Sequence, residues 1–390
     1  MTAEQLLTAG RSTTGESRGK PSEMVEVIRA SFAATEPHAD ELARHFYATL
    51  FTMAPEIREL FPAHMQVQRS RLLRALVHIV QMVDKPKELL LFLEQLGRDH
   101  RKFGVLAEHY DVFGTALLST IGMFAGSAWT PVAEQAWNDA YTIVAGAMRT
   151  GAQGERGSTS WSGRVLEHKR IGRDIATITL QTSEAVPYRA GQYLSVEIPQ
   201  RPRLWRYLSP ANAPRSDGVL EFHVRAVTNG WVSPAIVAHS RIGDTWRIGP
   251  PMGRMHVESG TGRELLMVAG GTGMAPMKAL LGDLARRPEQ PRTQVFVGGR
   301  SWDDLYDFAS IRKLSYSNTW LDVIPVVERD DVASGAEIGT LADVVTRYGA
   351  WADHETLVCG SPSMIRATVS RMLVAGTPLD RIRYDPFTMD

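Results

Sequence analysis

Thr150-Gly151-Ala152-Gln153-Gly154-Glu155-Arg156-Gly157-Ser158-Thr159-Ser160 separates two kinds of pattern in this chain. Glycine and serine give the stretch freedom and nothing apolar in it can dock, so residues 151–160 read as a linker. On its N-terminal side the apolar residues recur at helical spacing. Met24, Val27, Ile28 and Phe32 form one stripe, and Leu42, Phe46, Leu50 and Phe51 another. Arg69–Val83, Lys87–His100 and Val132–Met148 continue the pattern, and Pro55, Pro62, Pro86 and Pro131 punctuate it. Residues 21–150 are therefore predicted to form an all-α domain.

On the C-terminal side the period falls to two. Ile175 to Leu180, Tyr193–Ile198, Val219–Val227 and Asp244–Ile248 read as short strands, with Asp217-Gly218 and Asn229-Gly230 as turns. This predicts an antiparallel β-barrel over residues 161–260. From Glu264 onward strand and helix alternate. Leu265–Ala269, Gln294–Gly298, Leu321–Val327 and Thr356–Cys359 are the apolar strand-like runs. Residues 261–390 are predicted to be an α/β domain, a doubly wound parallel sheet with helices on both faces.

Composition narrows the class of protein. The 390 residues are 44% hydrophobic, and 43 basic side chains balance 43 acidic ones. Balanced charge gives no electrostatic case for nucleic acid or an anionic membrane as partner. The one cysteine, Cys359, excludes an intrachain disulfide and a Cys-based metal site, and suits a reducing, cytoplasmic setting. Residues 1–20 are polar and lack the apolar stretch of a signal peptide, so they read as a flexible tail. No apolar run approaches the ~20 residues of a membrane span.

Gly270-Gly271-Thr272-Gly273-Met274-Ala275-Pro276 follows an apolar strand and precedes a helix predicted from Pro276 to Leu284. Glycines there let a backbone approach a pyrophosphate and present the helix N–H groups to it. The elements and motifs after the linker resemble the ferredoxin–NADP reductase superfamily. Arg206-Tyr207-Leu208-Ser209, followed by Asn212-Ala213-Pro214, is similar to its flavin motif. Gly249-Pro250-Pro251-Met252-Gly253 is similar to its barrel-closing turn, Gly271–Pro276 to its nicotinamide turn, Cys359-Gly360 to its Cys-Gly pair, and Tyr384-Asp385-Pro386-Phe387 to its aromatic end.

The resemblance implies FAD and NAD(P)H as cofactors. Arg206 would neutralise the flavin diphosphate and Ser209 would bond near the ring, with Tyr193, Tyr207 and Leu208 around it. Gly230, Val232 and Ser233 would serve the same diphosphate. Gly271, Thr272, Gly273, Met274, Ala275 and Pro276 would hold the nicotinamide nucleotide, Cys359 and Gly360 would wall its ring, and Phe387 would cover the flavin. The family's flavin tyrosine falls on Leu208, which neither stacks nor donates. A shifted reading on Arg203 and Trp205 restores an aromatic but breaks the spacing to Asn212. Arg300 and Ser301 suit a 2′-phosphate, whereas Asp303 and Asp304 oppose one, so NADH is favoured over NADPH.

The helical block resembles the globin of a flavohaemoglobin. His45-Phe46-Tyr47 is similar to its distal helix, Pro55 to Phe61 to the segment ending in its haem-packing phenylalanine, and Asp99-His100-Arg101-Lys102-Phe103 to its proximal histidine. By this resemblance His100 is the metal ligand of haem b, Phe61 and Leu72 line the haem, Tyr47 and Gln68 are the distal catalytic residues, and Tyr110 is the proximal tyrosine. Two positions depart: the family's proximal glutamate falls on Ala152, and its lysine before the histidine is Asp99. The implied function is an NAD(P)H-dependent oxidoreductase of nitric oxide dioxygenase type, acting on O2 and NO with no obligate protein partner. Two alternatives stand beside it: an oxidoreductase taking electrons from an organic donor such as a 2-hydroxy acid, and a haem-based redox or oxygen sensor.

Overall fold

The computed structural model describes residues 21–154, 158–329 and 335–385. The tail over residues 1–20 and the ring of Phe387 lie outside the described residues. The chain forms two compact units. One comprises Met1–Arg58, Gln66–Glu94 and Leu106–Arg149; the other comprises Glu59–Met65, Gln95–Val105 and Thr150–Asp390.

The first unit is helical, as the periodicity predicts. Its elements are α1 (Pro21–Ala33), α2 (Ala39–Met53), α3 (Gln66–Met82), the first turns of α4 (Pro86–His100), α5 (Ala107–Ala125) and α6 (Pro131–Gln153). Leu42, Phe46 and Leu50 of α2 are buried, and Phe46 meets Phe113 of α5 edge-on at 4.8 Å. Trp137 of α6 donates its indole N–H to Ser31 of α1 at 2.9 Å, so a buried polar pair is satisfied. Helix α6 continues to Gln153, into the stretch read as a linker. Alanine and glutamine continue the helix without penalty, and the chain leaves it at Gly154.

Two six-stranded sheets build the second unit. The first is antiparallel, with β1 (Trp161–Ile171), β2 (Ile175–Thr182), β3 (Tyr193–Glu197), β4 (Arg206–Leu208), β5 (Val219–Arg225) and β6 (Thr245–Met252) in the order β4-β3-β6-β1-β2-β5. A bridge between Pro210 and Phe222 joins its two edges, giving the predicted barrel. Strand β1 escapes the periodicity reading. Its bulge between Val165 and Glu167 leaves Leu166 exposed and breaks the alternation among the charged residues that follow. The short helix α7 (Ser233–His239) packs its Ala235, Ile236 and Val237 into the barrel core.

The second sheet is parallel through β7 (Leu265–Gly270), β8 (Thr293–Gly299), β9 (Leu321–Val327), β10 (Glu337–Ile338), β11 (Glu355–Cys359) and β12 (Ile382–Arg383), in the order β10-β9-β8-β7-β11-β12. Alternate residues of β7 serve two cores. Leu265, Met267 and Ala269 join one with α8 (Met274–Leu284) and α9 (Phe308–Tyr316). Leu266 and Val268 join the other with α10 (Leu341–Tyr348) and α11 (Pro362–Val374). This is the period-two geometry of a strand covered on both faces. No helix among the described residues is long and apolar enough to cross a membrane.

Trp246 is the largest fully buried side chain and stacks on Phe222 at 6.3 Å in the barrel core. Its indole N–H has no hydrogen-bond partner among the described residues. Trp246→Ala should destabilise the protein by about 3–5 kcal/mol through the cavity it leaves. Trp246→Phe should lose less, about 1–2 kcal/mol, because the cavity is smaller and an unsatisfied donor goes with the indole. Urea unfolding followed by near-ultraviolet circular dichroism measures both, and equal losses would contradict the argument.

Candidate functional site

Strand β7 leads into one 3-10 turn, Gly271–Gly273, and then directly into α8. The helix starts at Met274, two residues earlier than the sequence suggests. Pro276 therefore sits in the first turn rather than at the first position, where its missing N–H is still tolerated. Strand β11 runs beside β7, with Cys359 opposite Ala269. A Cβ on Gly273 would fall 2.3 Å from the Cys359 carbonyl oxygen, so only glycine fits. Met274, Ala275 and Pro276 are buried in the core, and Gly271 and Thr272 are the half-buried part of the turn. The turn can thus offer main-chain groups to a phosphate, while its neighbours supply packing. Burial pushes the Cys359 thiol up to about 12, which makes it an uncharged wall rather than a nucleophile.

Several polar side chains at this end were not identified from sequence. The guanidinium of Arg225, on β5, lies 3.9 Å from where a Gly271 Cβ would stand, and it pairs with Asp304 at 3.2 Å and Asp174 at 3.4 Å. His223 bonds the Tyr306 hydroxyl through Nδ1 at 2.7 Å and Glu221 through Nε2 at 2.6 Å. Lys278 of α8 bridges Glu221 at 3.0 Å and Asp307 at 3.2 Å. The His223 bond, helped by Lys278, holds the Glu221 carboxyl at about 2. These residues come from four separate stretches of the chain, at residues 174, 221–225, 278 and 304–307, and no local pattern joins them.

The flavin segment is a strand, so Tyr207 and Leu208 face opposite ways. Leu208 packs against the barrel core. Tyr207 donates its hydroxyl to Asp99 at 2.9 Å and meets Tyr193 edge-on at 5.2 Å. Arg206 and Ser209 are half-buried beside it. Gly230 is exposed, and Val232 and Ser233 are buried at the start of α7, where the Ser233 hydroxyl accepts from the Val227 N–H at 3.2 Å. Gly253, at φ +91°, lies where a Cβ would come 2.8 Å from both the Tyr193 ring and the Asp385 carboxylate. The aromatic of the shifted reading, Trp205, is buried.

His100 ends α4, and its Nδ1 donates to the Leu96 carbonyl at 2.8 Å. Desolvation lowers the basicity of the ring, keeping it neutral. With Nδ1 committed, Nε2 carries the lone pair, the arrangement an axial imidazole needs. Phe61 is half-buried, and its carbonyl meets Arg203 at 3.5 Å.

In the first unit, Tyr47 is buried on α2 between Phe46 at 4.9 Å and Phe51 at 5.8 Å. Its hydroxyl donates to the Gln68 carbonyl over a long 3.4 Å. Burial raises the phenol well above its ordinary value, so it stays a donor. Gln68 is half-buried and Leu72 buried, both on α3 as expected. Tyr110 is buried on α5, with the Arg149 guanidinium 5.4 Å from its ring centre and Tyr141 donating to its carbonyl. Ala152, at the position of the family's glutamate, lies in the last turn of α6.

Three family descriptions match in succession: globin over residues 44–148, oxidoreductase FAD-binding domain over 162–257, and oxidoreductase NAD-binding domain over 267–370. A flavohemoprotein of Bordetella pertussis is 31% identical over 290 residues, which cover 67% of this chain and 71% of that one. The fold is similar to a flavohemoglobin from Malassezia yamatoensis with bound FAD and heme: the TM-score is 0.74 at 17% identity, over 93% of this chain and 98% of that one. The FAD/NAD binding domain of the nitric oxide dioxygenase from Vibrio cholerae matches 58% of this chain and 98% of its own length, with a TM-score of 0.51 at 20% identity.

Asp385 brings a carboxyl to the same place as Cys359 and Gly253. It is 5% exposed, its Oδ1 accepts from the Arg254 N–H at 3.3 Å, and its Oδ2 has no partner among the described residues. Burial pushes this carboxyl up to about 7. The unfolded chain gives up the proton near pH 4, whereas the folded protein keeps it to about pH 7. The stability linked to this proton is complete below pH 4 and declines as pH rises to 7, at most about 1.4 kcal/mol per pH unit. Asp385→Asn should remove that decline. Denaturant midpoints of both proteins between pH 4.5 and 8 measure it, and parallel curves would refute the assignment.

Proposed function

This chain belongs to the flavohaemoglobin family, a globin joined to an FAD- and NAD-binding reductase, and from that premise we propose that it is a nitric oxide dioxygenase converting NO and O2 to nitrate. It is an NAD(P)H-dependent oxidoreductase with haem and FAD as cofactors. Those groups, when bound, supply hydride acceptance, single-electron transfer and oxygen chemistry. The observation that carries the reading is the neutral His100 ring with Nδ1 bonded to Leu96, in a chain that also holds the Gly271–Gly273 turn beside Cys359.

The roles of the residues follow from their chemistry. His100 offers Nε2 as an axial ligand, and Phe61 and Leu72 supply apolar packing for a flat ring. The protonated Tyr47 hydroxyl can exchange its long bond to Gln68 for a stronger one to an anionic oxygen. Arg206, Ser209 and the main chain at Gly230 serve the flavin diphosphate. The turn at Gly271–Gly273 and the cation of Arg225 receive the nicotinamide nucleotide. The family's glutamate position falls on Ala152, which carries no charge, and this weakens electron donation by the axial ligand. That favours oxygen binding over peroxidase-like O–O cleavage.

Asp304 supports NADH as the reductant. Its Oδ2 accepts from the main-chain N–H groups of Arg300 at 3.1 Å and Ser301 at 3.4 Å, the groups a 2′-phosphate would need. NADH should exceed NADPH in kcat/KM by at least about tenfold, and Asp304→Asn should narrow that ratio. Steady-state flavin reduction with each nucleotide checks this.

Anaerobic NADH should bleach the flavin band and shift the haem Soret band of the purified protein. In air, added NO should then disappear with formation of one nitrate per NO. Tyr47→Phe should slow NO consumption on the order of a hundredfold and leave flavin reduction intact. His100→Ala should abolish stoichiometric haem. Flavin reduction without haem reduction in the parent protein would defeat the dioxygenase reading.

A further inference from the structure

The segment Gln95–Val105, which carries His100, belongs to the same compact unit as the flavin barrel. It holds two buried charges that the proposed chemistry does not use. Lys102 is 2% exposed and Asp99 5% exposed, and they form an ion pair. The second Asp99 oxygen accepts from Tyr207 of β4. The Lys102 ammonium lies 4.9 Å from the ring centre of Phe103, 5.2 Å from Trp205 and 5.1 Å from Tyr207. Arg247 of β6 donates to the Lys102 carbonyl at 3.0 Å and stands 5.1 Å from the Trp205 ring centre.

Such a pair stabilises little compared with apolar side chains of the same volume. What it does here is hold one geometry. The His100 ring is fixed at one nitrogen by Leu96 and touched edge-on by Phe103 at 5.6 Å and 76°. Phe103 in turn meets Trp205 edge-on at 6.0 Å and 87°. Trp205 immediately precedes β4. The position of the imidazole is therefore relayed from β4 through Trp205 and Phe103, and Lys102 and Asp99 tie Phe103, Trp205 and Tyr207 together.

We propose that Lys102 and Asp99 are positioning residues that couple haem retention at His100 to occupancy of the flavin site. This rests on the reading of His100 as axial ligand and of Arg206–Ser209 as the flavin segment. Flavin binding orders β4, and an ordered β4 fixes Trp205 and Tyr207. The His100 ring then loses less freedom when it ligates iron. The coupling is reciprocal, so bound haem tightens flavin by the same factor.

The test is haem transfer from the full-length protein to excess apomyoglobin, with FAD bound and after its removal. FAD should slow haem loss by at least about fivefold. The double variant Lys102→Met/Asp99→Asn removes both charges together and should bring the ratio close to one. Trp205→Leu keeps the ion pair but breaks the ring contact, and should lower the ratio as well, so the relay is tested even if the double variant fails to fold. Haem loss independent of FAD in the parent protein overturns the proposal, as does a parent-like ratio in both variants. The iron–histidine stretch in resonance Raman should shift on FAD removal in the parent and not in the variants. His100→Ala separates the two levels: stoichiometric haem with an unaltered spectrum there would show that the axial assignment itself is wrong.

Discussion

Parallel pairing of β7 with β11 governs how the chain is arranged at the end of the second sheet. It sets Ala269 against Cys359, so the two strands end side by side. The chain leaving β7 must then turn across the end of β11, and Gly273 presses on the Cys359 carbonyl where no Cβ fits. That close approach places the start of α8 beside Cys359. It also leaves the turn within reach of the barrel. Arg225 stands against Gly271, and the run from His223 through Glu221 to Lys278 ties β5 to α8. This end of the sheet is thus assembled from three distant parts of the chain around one backbone constraint.

Electrostatics in the second unit obeys the cost of burying charge. Glu355 is buried and meets Arg263 at 3.1 Å and Arg383 at 2.8 Å. Asp99 is buried and meets Lys102 and Tyr207. Asp385 meets no cation among the described residues, and burial raises its carboxyl to about 7. One solution pairs the charge, and the other leaves a carboxyl of raised pKa against Gly253.

The departures from the family pattern look independent along the chain, with Leu208 in the segment expected to bind flavin and Asp99 before the histidine proposed as axial ligand. In three dimensions they are adjacent features. The residue beside Leu208 is Tyr207, and its hydroxyl is spent on Asp99. The Asp99 carboxylate that accepts from Tyr207 is also paired with Lys102, which supplies the cation from three residues later.

Much of the architecture was legible in the residues. Helical spacing located α2 and α3, strand runs located the parallel sheet, and motifs picked out His100, Arg206 and the glycine turn. Strand β1 was not legible, because its bulge interrupts the alternation that reveals a strand. The ends of α6 and α8 were misplaced by two or three residues, since alanine and a first-turn proline are compatible with helix on either side of the boundary. By itself the sequence determined element type, element order and the positions where backbone must approach closely, since these depend on neighbours along the chain. Only the tertiary structure decided which buried charges are paired, that burial raises the Asp385 carboxyl and that Tyr207 bonds Asp99. Desolvation and Coulomb attraction depend on distance through space, and residues 99, 207 and 385 acquire theirs only when the chain has folded.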